Sequence, residues 1–171
     1  MQNIKKVNSV IVYPALALFL FFVFLLGRIP GLTLKIGEAM PLLIIPALVA
    51  LCIFYKEWIG FFYGLFVGFL LDSVTVGSNF LSTFSVMVIA VFAGLMASYV
   101  ININLKAALV LSLICSLLYY FSNWFFLIAL SAEQYKLYYL LKISLPGAVY
   151  TSVFIIPFFY LFKWFYKCCN R

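Results

Sequence analysis

Gly60, Gly64, Gly68 and Asp72 follow one another at intervals of four residues, in a chain where only 9% of residues are charged. Between them lie Phe61, Phe62, Tyr63, Leu65, Phe66, Val67, Phe69, Leu70 and Leu71, so the ladder belongs to an apolar segment. Small residues at i, i+4 and i+8 leave a strip of bare backbone that another helix can approach closely. A carboxyl at the end of that strip is expensive if it enters the hydrocarbon: roughly 2.5–3.5 kcal/mol near a bilayer centre. It therefore calls for a hydrogen-bond donor or a cation. Little other chemistry can be built. There is no histidine, and the four acids are Glu38, Glu57, Asp72 and Glu133. General acid–base pairs, histidine-based metal clusters and Ser-His nucleophiles lack their material. No catalytic, metal or cofactor residue is expected, and the chain reads as no enzyme. Cys52 and Cys115 lie inside apolar runs, while Cys168 and Cys169 follow the last one. This is not a disulfide framework.

The elements that hold the ladder follow from composition. Of 171 residues, 68% are hydrophobic, which leaves no polar surface for a soluble globule. The expected architecture is a single all-α integral membrane domain over residues 1–171. Continuous apolar runs, without period-two alternation, argue against a β-barrel. The net charge of +7 comes from basic residues scattered in ones and twos between these runs. They read as topology signals in a lipid bilayer, not as a nucleic-acid footprint.

Six spans are expected, at 10–26, 41–55, 59–72, 80–101, 105–130 and 143–165. The first is uncleaved, since no small-x-small site follows it. The second is short, about 22 Å at 1.5 Å per residue against a core of roughly 30 Å, so it must extend outwards or be shielded by protein. Pro46 is expected to bend it. Lys56, Glu57 and Trp58 form a polar break that makes the second and third spans a helical hairpin. A connection containing Gly77 follows Asp72. The fourth span carries a second small-xxx-small face at Gly94 and Ser98. Asn123 is expected to join helices of the same chain, and Lys163 to Lys167 form a basic, aromatic anchor. With both termini cytoplasmic, seven basic residues lie inside (Lys5, Lys6, Lys56, Lys106, Lys163, Lys167 and Arg171) and four outside (Arg28, Lys35, Lys136 and Lys142). This bias puts the termini in the cytoplasm and Asp72 near the outer face.

The glycines read first as intramolecular packing, with a partner's helix as the functional version. For Asp72 the structural role is to accept backbone N–H bonds from the turn or helix that follows.

The block from Gly60 to Asp72, with Gly77 in the next turn and a long apolar helix after it, resembles the rod shape-determining MreD family. More loosely, the likeness covers the whole chain: its length, the proline-marked segment from Pro41 to Ala50, Gly94 in the fourth span, and Leu145, Pro146 and Pro157 before a basic tail. The family's Leu-Gly pair after the turn is replaced here by Asn79 and Phe80. The resemblance implies a non-enzymatic, multi-pass scaffold of the bacterial cytoplasmic membrane, acting in cell-wall elongation. Its implied partners are an MreC-like bitopic protein, the MreB-containing elongation complex, a SEDS glycosyltransferase and a class B penicillin-binding protein. The family is also thought similar in fold to the six-helix substrate-binding subunits of energy-coupling-factor vitamin transporters. That supplies the alternative, a binding module for a vitamin or metal. Such a subunit should present a polar pocket at its outer face.

Overall fold

A computed structural model describes residues 6–29, 42–74, 80–99, 104–130 and 144–169. Within them lie six helices and no strand: α1 (Lys6–Leu26), α2 (Ile44–Asp72), α3 (Leu81–Tyr99), α4 (Leu105–Leu130), α5 (Leu145–Val153) and α6 (Ile155–Cys169). Three stretches are long and apolar enough to cross a membrane: Leu81–Tyr99, Leu105–Phe125 and Leu145–Lys167, the last covering α5 and α6 together.

Every residue of α2 from Ile44 to Asp72 has helical backbone. A straight helix would hold Cys52 and Gly60 about 12 Å apart along its axis and Ile44 and Leu71 about 40 Å apart. Instead, a Cβ built on Gly60 would lie 3.0 Å from Cys52 Sγ, and Ile44 and Leu71 wall the same small pocket. The axis therefore reverses between Cys52 and Gly60, at the polar trio Lys56, Glu57 and Trp58. The expected gap between the second and third spans has to be corrected, because the backbone turns back without one. Trp58 is well exposed at this bend.

The first arm of this hairpin is the centre of the molecule. From Ile44 to Tyr55 no residue is more than 9% exposed. A helix apolar on every side is stable only when it is surrounded, and its shortness is accommodated by protein on all sides. Pro46 does not bend it. The helix begins at Ile44, which places Pro46 in the first turn, where the missing N–H would have had no partner. Farther along the chain, Pro157 does interrupt a helix. It cannot bond the carbonyl of Val153 and its ring crowds that group, and Phe154 separates α5 from α6.

The contacts sort the residues into two ends. At one end Phe54 and Tyr55 meet the ring of Tyr166, with centroids 5.8 and 6.0 Å apart, and Ser98 Oγ donates to Glu57 Oε2 at 2.7 Å. At the other, Gly27 and Arg28 lie beside Ile44 and Leu71, and the Leu42 N–H donates to Thr151 Oγ1 at 3.3 Å. The start of α1 and the end of α6 thus lie at the Glu57 end, and Asp72 at the opposite one.

The reversal is directly testable. On a background with the four native cysteines changed to alanine, Ile44→Cys with Leu71→Cys should be joined by a short bifunctional thiol reagent. A helix-rich protein in which the pair never cross-links would show that α2 is straight.

Candidate functional site

The glycine stripe of α2 is filled by α3. A Cβ on Gly60 would stand 3.1 Å from the carbonyl oxygen of Ala90; one on Gly64 would stand 2.7 Å from Ala90 Cβ and 3.1 Å from Met87 Cα. On Gly68 it would overlap Thr83 Cα and lie 3.0 Å from that residue's carbonyl oxygen. The contact moves along α3 from Thr83 through Met87 to Ala90 as it moves back along α2 from Gly68 to Gly60, as two antiparallel helices require. Real side chains do not tolerate these distances, so hydrogen at three successive positions is what sets the spacing of the two helices. On another face of the same arm, the Tyr63 hydroxyl donates to the Tyr13 carbonyl of α1 at 2.7 Å.

Asp72 closes the seam. Its Oδ1 accepts the N–H of Ser82 at 3.3 Å, and Oδ2 accepts the N–H of Thr83 at 2.8 Å and the Thr83 hydroxyl at 2.5 Å. Ser82 and Thr83 are the second and third residues of α3, whose N–H groups have no partner within the helix. In an apolar setting an unmet N–H costs several kcal/mol, so a carboxyl ten residues back in sequence serves as the cap. The acid also complements the positive end of the helix dipole. Phe80, just before α3, has φ of 59°. That is the left-handed region, costly for any residue with a Cβ and routine for glycine. The strain falls at the residue that leads directly into α3.

A third helix joins at this end. Tyr119, on α4, is buried, with its hydroxyl in the neighbourhood of Ser82, Asn123, Asp72 and Arg28. Deeper along α4, Ser116 Oγ lies 3.2 Å from the Ala148 carbonyl of α5 and 2.7 Å from that of Ser112, while Gly147 makes room for the ring of Tyr120.

Of the residues singled out by sequence, Gly60, Gly64, Gly68 and Asp72 come together on one seam with α3. Gly94 is buried on α3, whereas Ser98 is exposed and bonded to Glu57 at the far end. Gly77 lies outside the described residues. Ser82, Thr83 and Tyr119 were missed. The first two carried a signal, as a hydroxyl pair in the first turn after an acid; Tyr119, one of twelve tyrosines, carried none.

Among the described residues, no group of three or more potential ligating side chains could hold a metal. An apolar groove of about 250 Å³ lies between α4 and α5, lined by Leu117, Leu118, Tyr120, Phe121, Ser144 and Leu145. No family model matches the chain, and no curated protein or solved structure shows significant similarity to it.

Two substitutions probe the seam in opposite directions, by reversible unfolding in micelles. Gly68→Ala should destabilise by about 1–3 kcal/mol, the usual cost of overpacking, because the added methyl meets backbone that cannot move aside. Phe80→Gly should stabilise by about 1 kcal/mol as the left-handed strain is released. Gly27→Ala is the control: its Cβ would meet nothing nearer than 3.5 Å.

Proposed function

We propose that this protein is a multi-pass scaffold of the bacterial cytoplasmic membrane in the manner of MreD, organising cell-wall elongation without catalysing a reaction. In this reading α1, the two arms of α2, α3, α4 and the α5–α6 pair each cross the bilayer, giving six crossings. Both termini lie in the cytoplasm and the Asp72 end faces outwards.

One observation carries the choice between a scaffold and a ligand-binding subunit. The polar groups around Asp72 are bonded to one another: both of its carboxyl oxygens accept from Ser82 and Thr83. A binding site for a vitamin would aim several such groups into a pocket of some 300 Å³ or more. The pocket beside Arg28 and Leu71 is only about 30 Å³, and the groove of about 250 Å³ between α4 and α5 is lined almost entirely by apolar surface. The seam therefore serves to hold a rigid pair of helices at a fixed spacing, as a membrane scaffold requires. Its partners in this reading are an MreC-like bitopic protein and, through the elongation complex with MreB, a SEDS glycosyltransferase and a class B penicillin-binding protein.

Depletion in a rod-shaped host is the test. Cells should round up, and a wild-type copy should restore rods. Gly68→Leu, which drives a side chain into Thr83, should restore neither shape nor co-purification of an MreC-like partner. Normal rods after depletion, together with loss of uptake of a vitamin, would refute the scaffold in favour of a transporter subunit.

A further inference from the structure

At the Glu57 end the chain presents a cationic surface on a helix that is held in place from behind. Lys163 and Lys167 stand one turn apart on α6 and both are exposed, as is Trp164 between them. Residues at i and i+4 lie about 6 Å apart on a helix surface. Tyr166 packs its ring against Phe54 and Tyr55 of the α2 bend, and Phe159 and Phe162, buried two turns and one turn earlier, seat the rest of α6 on Phe54 and Phe19. That anchored face leaves Lys163 and Lys167 on the exposed side of α6. Lys106, in the first turn of α4, is exposed at the same end. The carboxylate described at this end, Glu57, accepts the Ser98 hydroxyl. At the opposite end Arg28 lies over the ring of Phe24, 5.4 Å from its centroid, and Asp72 caps α3. Among the described residues, exposed lysines thus gather at the Glu57 end.

We propose that Lys163 and Lys167 form a binding site for the headgroup of an anionic phospholipid. Trp164 beds at the level of the headgroups and Lys106 adds to the field. The proposal rests on the membrane-spanning reading above and adds to it a lipid preference located on one helix end. Charge complementarity identifies the occupant. Aromatic residues at this depth favour the interface, and each basic residue near an anionic leaflet contributes about 1 kcal/mol, or roughly fivefold in affinity. A neutral, zwitterionic headgroup gains no such term.

The experiment uses the full chain reconstituted in phosphatidylcholine bilayers, with spin-labelled phosphatidylglycerol or spin-labelled phosphatidylcholine as the probe. Electron paramagnetic resonance reads the fraction of each probe immobilised at the protein. Phosphatidylglycerol should be selected by roughly 25-fold at low salt, about fivefold for each lysine. K163Q/K167Q should bring the ratio close to one while leaving the immobilised phosphatidylcholine fraction unchanged, and R28Q at the other end should leave the selectivity intact. Equal immobilisation of the two probes by the unaltered chain, or full selectivity in K163Q/K167Q, would overturn the proposal and leave the membrane reading standing. Immobilisation of neither probe would overturn the membrane reading itself.

Discussion

The contact between bare backbone on α2 and the backbone of α3 is the constraint from which the rest of the arrangement follows. In a bilayer, apolar side chains gain nothing by leaving lipid for protein, so helices associate through close packing and hydrogen bonds. Three hydrogens at Gly60, Gly64 and Gly68 let the α3 backbone approach to distances that a single methyl would forbid. Such proximity brings the last turn of α2 beside the first turn of α3. There the free N–H groups of Ser82 and Thr83 need acceptors, and Asp72 supplies them. Packing and capping are one device: without the stripe the acid could not reach, and without the acid the start of α3 would bring unmet donors into an apolar environment. The left-handed Phe80 is strain tolerated so that the chain can turn from Asp72 into that position.

Around this seam the molecule is organised by what must be hidden. The first arm of α2 is apolar on every face and is surrounded. The second arm faces α3 with glycines, α1 with Tyr63, and the exterior with Phe62, Leu65 and Phe69. Hydroxyls from α4 and α5 supply lateral ties at Ser116 and Thr151, the latter reaching both the Gly147 carbonyl at 2.6 Å and the Leu42 N–H. These bonds are short-range and internal. They stiffen the bundle.

The sequence made the helical class legible, since 68% apolar content in long runs admits little else. The hairpin was legible in Lys56, Glu57 and Trp58, which cannot sit in the middle of an apolar span. The absence of a loop at the bend was not, because residues that stay helical on both sides of a reversal carry no turn signature. Pro46 misled for a related reason: a proline bends a helix only when it lies past the first turn, and the start at Ile44 was invisible in an apolar run that began earlier. For the site, glycine spacing and the acid were evident, and the choice between packing stripe and partner surface needed the third dimension. Tyr119 was unreadable, since its role depends on which residue of α4 faces Ser82, and that register is fixed by packing alone.

The central claim is that Asp72 and the start of α3 act as one unit through the bonds at Thr83. A double-mutant cycle measures this most directly: Asp72→Asn, Thr83→Val and the pair of substitutions, each followed by reversible unfolding in mixed micelles. Residues joined in one hydrogen-bond network show coupling of about 0.5–3 kcal/mol, and a value in that range is what the structure predicts. Costs that simply add, with no coupling beyond the error of the measurement, would mean that Asp72 does not hold α3 and would contradict the account at its base.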